Sequence, residues 1–558
     1  MWPRPAFFQD ALLNFAENLL FPISRPAEDS IAVIEATEIS RHRVSWRELR
    51  ERVRQCSSAM RSIGIKENDR IAGFVANHCN SLVAMLSASS IGAIWTAISP
   101  DQGVHAVLDR LLQIDPKLLF ADNAVMYNGK VHGIGNKIMN IIKRMPHLRQ
   151  CVVFQASFLM DDTRRCSLVY NARLVTFAQF VQNVSTDSPL QFQQLVPDHP
   201  LYILFSSGTT GSPKCIVHGA IGTLIQHKKE HDIQCSLRPG DTLFYFTTCM
   251  WMMWHWLVSA LASGVRIVLY DGSPFRPFGK SGDGDMAMAY LIGELGVTHF
   301  GTSAKYLSTL EQRNVQVGQS VDLSKLKAIY STGSPLAPST FDYTYRTFGH
   351  DINLASITGG TDIISLFGAP SQISPVYAGQ IQVRGLGMAV ESWDAEGHSV
   401  EDEAGDLVCI KPFPSQPVMF WGPEGEKKYH DSYFSNFPNT WHHGDFIQID
   451  THTGGLTMLG RTDGVLKPAG VRFGSSEIYN VLLRRFGEIE DSLCVGRRRE
   501  HDSDEMVVLF VKMVSGAQYS PQLEVRIRSA IREDLSARHV PKIIESTPEI
   551  PVTINGKK

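Results

Sequence analysis

The sequence predicts an α/β protein with a large N-terminal domain of parallel-rich sheets flanked by helices, and a small α+β C-terminal domain. Three observations lead to this fold class. Short apolar runs alternate with segments of helical periodicity through the first half of the chain, which is typical of a parallel sheet covered by helices. The pattern changes after Gly460, and 558 residues are enough for roughly two to five structural units.

The first predicted helix begins after Ser45. Ser45 and Glu48 have the spacing of a capping box, in which each side chain satisfies a free backbone N–H at the helix start. Apolar residues then recur at the helical period from Leu49 to Ile63. Gly64 can end this helix in a left-handed turn.

Buried strands are predicted where short apolar runs are bounded by turns or helices. A strand is also predicted at residues 506–513, and a helix begins after it at Ser520 and Pro521, because proline favours the first helical turn. Residues 420–428 are predicted to be a loop from their Gly and Pro content. The strands predicted earlier in the chain are residues 70–76, 93–98, 201–205, 265–270 and 328–331.

Composition excludes several classes of protein. The 53 Lys and Arg residues nearly balance 56 Asp and Glu residues, which argues against a dedicated nucleic-acid binder. Hydrophobic residues make up 43% of the chain, which excludes a disordered tail protein. No apolar run is long enough for a membrane span, and nine cysteines without a CxxC pair are typical of a reducing compartment. We therefore expect a soluble cytosolic protein.

The strongest chemical signal is the string ILFSSGTTGSPK at residues 203–214. Glycines let the backbone turn so that successive N–H groups point at one anion, while the hydroxyls add donors and the lysine adds positive charge. The string is not a GxxxxGK[ST] loop, because its lysine is the third residue after its last glycine and no Ser or Thr follows. A polar surface turn is the alternative. The residues predicted to bind phosphate are Ser206, Ser207, Gly208, Thr209, Thr210, Gly211 and Lys214.

This string resembles the phosphate loop of the adenylate-forming superfamily, which includes acyl-CoA synthetases, luciferases and the adenylation domains of peptide synthetases. The resemblance implies a large N-terminal domain over residues 1–461 and a small mobile C-terminal domain over residues 462–558. It also implies that ATP, Mg²⁺ and coenzyme A take part. Further segments resemble superfamily motifs in the same order: GSP at 333–335, TGGTD at 358–362, WHHGD at 441–445, GRTDGVLKPAGVRFGSSE at 460–477 and INGK at 554–557.

The resemblance places two of these motifs beside the nucleoside. Gly333, Ser334 and Pro335 would form the turn on the adenine side. Asp445 would hold the ribose, since one carboxylate can accept hydrogen bonds from both hydroxyls. A solvated acid in a turn is the alternative for Asp445.

The catalytic residues implied by the resemblance carry charge or a hydroxyl. Thr361 and Asp362 would meet phosphate and magnesium, with Asp362 as the metal ligand. Arg461 and Arg472 offer planar guanidinium groups for ribose and phosphate. Lys557 would bridge the substrate carboxylate and the α-phosphate; a frayed terminal lysine is the alternative.

The resemblance also implies a hinge. A backbone rotation at Asp463 would swing the C-terminal domain between adenylation and thioester formation. Gly470 would then approach the pantetheine arm, where a side chain would block access. The superfamily continues past the INGK lysine and carries a longer segment before residue 14, so the chain resembles a member shortened at both ends.

An acyl pocket is implied by the same motifs. Trp251, Met252, Met253 and Thr332 correspond to pocket positions, although ordinary core packing is equally expected for the two methionines. Acetate-specific relatives carry a bulky tryptophan at the position of Gly359. The glycine would leave space for a longer acid.

Finer segments narrow the expected function. NFAENLL at residues 14–20, WMMW at 251–254 and FGTSAKYL at 300–307 resemble the subfamily of acetoacetyl-CoA synthetases. The implied activity is ATP-dependent formation of acetoacetyl-CoA through an acetoacetyl-adenylate. Two alternatives remain: a short- or medium-chain fatty acyl-CoA synthetase, and a nucleotide-binding homologue without catalysis. Cys215, next to the loop lysine, predicts sensitivity to thiol reagents.

Overall fold

The computed structural model describes residues 1–156, 173–185, 188–206, 213–276, 278, 283–462, 465–466, 473–497, 506–535, 537 and 539–552.

The α-helices lie mainly between consecutive strands, as expected for an α/β chain. Their bounds are α1 Phe15–Leu20, α2 Trp46–Ser62, α3 Cys79–Ile91, α4 Val104–Ile114, α5 Gly135–Lys143, α6 Phe177–Val181, α7 Ala220–Lys229, α8 Met252–Ser259, α9 Ala287–Leu295, α10 Ala304–Gln312, α11 Pro338–Phe348, α12 Gly425–Tyr433, α13 Ser475–Arg485 and α14 Pro521–Asp534.

The strands of the two large sheets come from the first two thirds of the chain. These strands and the hairpin β6–β7 are β1 Ile31–Thr37, β2 Arg41–Ser45, β3 Arg70–Phe74, β4 Ile94–Ile98, β5 Leu118–Asp122, β6 Ala124–Tyr127, β7 Lys130–Gly133, β8 Gln150–Phe154, β9 Leu174–Thr176, β10 Pro200–Ser206, β11 Lys214–Gly219, β12 Thr242–Tyr245, β13 Arg266–Asp271, β14 His299–Ser303, β15 Ala328–Thr332 and β16 Asn353–Ser356.

The remaining strands are shorter on average and form small sheets, except β22, which joins a large one. They are β17 Thr358–Gly360, β18 Ser365–Ala369, β19 Val383–Arg384, β20 Val390–Trp393, β21 Ala404–Cys409, β22 Met419–Phe420, β23 Trp441–Ile449, β24 Leu456–Arg461, β25 Val465–Leu466, β26 Phe473–Gly474, β27 Ile489–Arg497, β28 Met506–Met513 and β29 Ile543–Ser546.

Two large sheets organise the N-terminal part. One has the strand order β16-β15-β14-β12-β13-β1-β2 and the other β22-β11-β10-β4-β3-β5-β8-β9. Most neighbouring strands are parallel, with antiparallel pairs at β1–β2, β10–β11 and β11–β22. The predicted parallel-rich α/β class is therefore confirmed.

Helices lie on both sides of each large sheet. Every residue of α8 is buried, as are all but one of α3, which is expected of helices packed between two sheets. One core cluster joins both helices to strands of both sheets. Helices α9, α10 and α11 cover the outer face of one sheet, and α4 and α5 cover the other.

The end of the chain forms a small α+β unit. Strands β27, β28 and β29 make one sheet, and its core includes Ile478 of α13 and Ile527 of α14. The predicted strand at residues 506–513 matches β28, and Ser520 caps α14 at its Leu523 N–H. The boundary of a separate C-terminal domain stays a prediction.

The other predicted elements are largely found, with bounds shifted by one or two residues. Ser45 accepts a hydrogen bond from the Glu48 N–H and caps α2, and Gly64 has a left-handed φ of 79°. The loop predicted at residues 420–428 is wrong in part, because α12 begins at Gly425. No described helix is long and apolar enough to cross a membrane.

Candidate active site

The phosphate-loop string joins two antiparallel partners. Ser206 ends β10 and Lys214 begins β11, and these two residues are paired across the ladder. The two described ends of the string are therefore neighbours in the sheet. Ser207, Gly208, Thr209, Thr210 and Gly211 lie outside the described residues.

Lys214 and Asp362 of the TGGTD motif both contact the same aromatic side chain, Tyr433. Its Nζ lies 5.6 Å from the centre of the Tyr433 ring. The Tyr433 hydroxyl donates to Asp362 Oδ1 at 2.5 Å. The structure thus brings the loop lysine and the predicted metal ligand to one tyrosine, which the sequence did not identify as a site residue.

Asp362 is held in its ionised form. Burial raises the pKa of this carboxyl, but His443, the Tyr433 hydroxyl, Lys214 and Arg461 together lower the pKa below its ordinary value. Thr361 precedes Asp362 in the turn between β17 and β18. A charged carboxylate beside a lysine is suited to hold a cation together with an anionic ligand.

Asp445 and Arg461 form the other charged pair. They are ladder partners on β23 and β24, and Arg461 Nη1 lies 3.0 Å from Asp445 Oδ1. Asp445 is only 7% exposed, whereas the Arg461 side chain is 57% exposed. Gly444 precedes Asp445 and has a φ of 79°; a Cβ there would lie 2.8 Å from the Arg461 guanidinium. Glycine therefore lets the arginine fold over the strand.

His443 connects the two charged groups. Its Nδ1 accepts from the Trp441 indole N–H at 3.3 Å, which assigns the ring proton to Nε2. Nε2 lies 3.7 Å from Asp445 Oδ2. A Cβ built on Gly360 would lie 3.7 Å from this nitrogen and 3.9 Å from Asp362 Oδ2. Burial lowers the pKa of His443 below its ordinary value, although the nearby carboxylates of Asp445 and Asp362 raise it.

The adenine-side turn follows β15 directly. Gly333 has a left-handed φ of 93°, and a Cβ built on it would have no atom of the described residues within 4 Å. Gly333 and Ser334 are exposed, and Pro335 is half-buried. Thr332, at the end of β15, donates its hydroxyl to the Ile357 carbonyl at 3.1 Å, which ties this turn to the segment before β17.

The predicted pocket residues divide into buried and exposed positions. Met252 and Met253 belong to the core cluster between the large sheets, which also contains Leu366. Trp251, just before α8, is 37% exposed. A Cβ on Gly359 would lie 2.0 Å from the Ser365 carbonyl oxygen. Close strand pairing thus explains this glycine, and a role in pocket size stays a prediction.

Cys215 does not have the surroundings of a reactive thiol. It is 3% exposed, and burial raises its pKa to about 12. Its Sγ donates to Gln113 Oε1 at 3.3 Å. The predicted sensitivity through this thiol is wrong, because a buried protonated thiol is a poor nucleophile.

The remaining predicted functional residues belong to the hinge and the C-terminal motifs. Their roles stay predictions. Asp463, Gly470, Arg472 and Lys557 lie outside the described residues.

Comparison with known proteins places the chain among nucleotide-using enzymes. The model of the AMP-binding enzyme family matches residues 24–413. The chain is 54% identical to malonamoyl-CoA synthetase vrtB of Penicillium aethiopicum, over 100% of this chain and 78% of that protein. It is 47% identical to acetoacetyl-CoA synthetase of Danio rerio, over 99% of this chain and 81% of that protein.

A solved structure has the same overall fold. Acetoacetyl-CoA synthetase from Streptomyces lividans superposes with a TM-score of 0.90 and is 35% identical in sequence. The match covers 100% of this chain and 82% of that one. The fold is therefore that of adenylate-forming enzymes.

Proposed function

This chain belongs to the AMP-binding enzyme family, and we propose that it is an AMP-forming acid–thiol ligase that makes acetoacetyl-CoA from acetoacetate, ATP and coenzyme A. The observation that carries the proposal is the convergence of Lys214 and Asp362 on Tyr433, with His443 joining them to Asp445. The acetoacetyl-CoA synthetases among its relatives support acetoacetate as the acid.

The first half-reaction builds negative charge that positively charged groups of the site would stabilise. The acetoacetate carboxylate attacks the α-phosphorus of ATP, a mixed anhydride forms, and pyrophosphate leaves. Negative charge then grows on the phosphoryl oxygens, and fixed cations and N–H donors stabilise it. Lys214 and the loop before it supply such groups, while Asp445 accepts from the ribose hydroxyls and fixes the nucleotide.

Thr361 and Asp362 fit a Mg²⁺ ion that arrives with ATP. Mg²⁺ is usually bound by one or two carboxylates plus substrate phosphates, not by a complete protein cage. Asp362 is ionised, and the described residues contain no group of three or more His, Cys, Asp or Glu that would form a cage. When bound, the ion would neutralise phosphate charge.

The second half-reaction needs the C-terminal domain. We assign residues 462–558 to a mobile unit that turns at Asp463, with Lys557 serving adenylation and Gly470 admitting the pantetheine arm. Arg472 would contact phosphate. The thiolate of coenzyme A attacks the acyl carbon of the adenylate, and AMP leaves.

Lys557→Ala should abolish pyrophosphate exchange; unchanged exchange would contradict the role given to this lysine.

Malonamate is a second candidate acid, because the relative with 54% identity is a malonamoyl-CoA synthetase. Malonamate and acetoacetate have the same shape, since an amide NH₂ replaces the terminal methyl group. They differ in hydrogen bonding: a buried NH₂ needs acceptors, whereas a methyl needs apolar contacts. Trp251, Met252, Met253, Thr332 and Gly359 are the residues we assign to the pocket that makes this choice.

An ATP–pyrophosphate exchange assay tests the function. Acetoacetate, malonamate, acetate, butyrate and octanoate are compared with the same enzyme preparation. Exchange with acetoacetate above the other acids supports the main proposal, and a malonamate preference supports the second candidate. Preference for butyrate or octanoate would indicate a fatty acyl-CoA synthetase. ATP binding without exchange would indicate a non-catalytic homologue.

The cellular context is proposed from the same facts. Eight cysteines among the described residues are free thiols, and all are buried, which favours the reducing cytosol. Acetoacetate is a ketone body, so its activation would feed acyl groups into lipid and fatty acid metabolism.

A further inference from the structure

A buried carboxylate lies behind the candidate active site. Glu230 follows α7 and begins a π-helical turn, Glu230–Gln234, and its side chain is 0% exposed. Its Oε2 accepts from the Trp256 indole N–H at 2.8 Å. Its Oε1 accepts from the Ser365 hydroxyl at 2.5 Å and from the Leu366 N–H at 3.1 Å. Buried charge of this kind is costly unless every contact is kept.

The partners of Glu230 lie on the strand that completes the TGGTD hairpin. Ser365 and Leu366 begin β18, where they pair with Gly360 and Gly359 of β17. Glu230 therefore fixes the return strand of the hairpin whose turn carries Asp362.

A second side chain from α7 holds the turn itself. His227 lies one helical turn before Glu230, so both face the same side. Its Nε2 donates to the Ile364 carbonyl at 2.7 Å, and its Nδ1 lies 2.8 Å from the Ser259 hydroxyl. Burial lowers the pKa of His227 to about 4, so the ring is neutral and Nδ1 is left as an acceptor. The Ser259 hydroxyl lies 2.8 Å from this nitrogen and also 2.8 Å from the His255 carbonyl, to which it donates.

The turn needs external support. Ile364 has a φ of 47°, a left-handed conformation that is strained for a β-branched residue, and it is fully buried. Strained backbone persists only when its surroundings enforce it. His227 supplies that support at the carbonyl of Ile364, two residues after Asp362.

We propose that Glu230 and His227 are positioning residues that hold the β17–β18 turn, and with it the Asp362 carboxylate, against Tyr433. Their contacts with the hairpin run through the Ile364 carbonyl, the Ser365 hydroxyl and the Leu366 N–H, not through substrate. The proposal goes beyond the proposed function and depends on it only for its kinetic consequences.

Hydrogen–deuterium exchange on the ligand-free protein tests the proposal without any catalysis. In Glu230→Gln, the side-chain NH₂ group would face the Trp256 indole N–H or the Leu366 backbone N–H, and both of these groups are also donors. Amides 363–366 should then exchange about tenfold faster than in the wild type, because a hydrogen bond to a charged acceptor is lost. Unchanged protection of these amides would overturn the proposal.

Asp241→Asn is the matched control. Asp241 is also buried. Its Oδ1 lies 2.6 Å from Lys327 Nζ, and its Oδ2 accepts from the Arg238 backbone N–H at 2.9 Å. It precedes β12 and does not contact the hairpin. Its variant should leave amides 363–366 as protected as in the wild type; equal loss in both variants would contradict a specific role.

Ser365→Ala covers the case in which Glu230→Gln does not fold. It removes one hydroxyl donor to Glu230 and keeps the buried charge. Faster exchange at residues 363–366 in this variant supports the proposal, and wild-type protection opposes it.

Kinetics supply the second readout. In pyrophosphate exchange, the Mg²⁺ concentration for half-maximal rate should rise about tenfold in the Glu230 variant that folds, since shifted supporting residues weaken metal sites by about 10- to 100-fold. An unchanged Mg²⁺ requirement in an active variant would overturn the proposal. If the wild type shows no exchange, the proposed function fails, while hydrogen exchange still decides the positioning role.

Discussion

Two carboxylates of the candidate active site are held in different ways. Asp362 lies on a strained turn and is bound by Tyr433, which comes from a helix more than sixty residues later in the chain. Asp445 is bound by Arg461, its ladder partner on the next strand, whose side chain is largely exposed. The comparison shows that one carboxylate is fixed by tertiary contacts and the other by a local hairpin. We expect Asp362 to be the less tolerant of change.

Asp362→Asn should have the largest effect. The amide keeps the shape but removes the charge that faces Lys214, so pyrophosphate exchange should fall about 100- to 1000-fold. The measurement is the exchange rate at saturating ATP. A fall smaller than that caused by Asp445→Asn would break the comparison.

Asp445→Asn should act mainly on nucleotide binding. A hydrogen bond to a charged group contributes about 1.5–3 kcal/mol, so KM for ATP should rise about 10- to 100-fold while kcat changes less. Asp450→Asn, just beyond the far end of the same strand, is the control and should leave KM unchanged. A loss in kcat with unchanged KM would show that Asp445 does not hold the ribose.

Tyr433→Phe should shift the pH profile. The pKa of Asp362 is lowered in the folded protein, so activity that needs the carboxylate is present above this pKa and is lost as pH falls through it. Without the tyrosine hydroxyl the pKa rises, so the acid limb of kcat/KM should move to higher pH. Tyr429→Phe on the same helix should leave the limb in place. A limb that does not move in Tyr433→Phe would show that the hydroxyl does not tune Asp362.

Cys215→Ser should have the smallest effect. The thiol is buried and protonated at neutral pH, so iodoacetamide should not alkylate it in the folded protein. The substitution should change exchange activity by less than about twofold. Peptide mass measurement after alkylation checks this, and rapid labelling of Cys215 would show that the site opens to solvent.

Sequence reasoning identified the fold class and the residues that lie in short motifs. Strand–helix alternation predicts the parallel sheets because each strand carries its own apolar run. Asp362 and Asp445 could be found because each lies in a short motif, TGGTD or WHHGD, that resembles a motif of the adenylate-forming superfamily. Both predictions use information within a few neighbouring residues.

Contacts between distant segments could not be found in this way. Tyr433 ends α12, which begins within a region predicted as loop from its Gly and Pro content. Glu230 has no motif, and nothing local shows that it meets Ser365 at 2.5 Å. The π-helical turn that presents Glu230 depends on packing against β18, so its energy lies in tertiary contacts that periodicity does not record.

A crystal structure with a non-hydrolysable acetoacetyl-adenylate analogue would show whether these two carboxylates hold the nucleotide. We expect the ribose hydroxyls within hydrogen-bond distance of Asp445 and the α-phosphate mimic between Lys214 and Asp362. An analogue bound elsewhere, or bound with Asp445 and Asp362 both away from it, would show that this is not the active site.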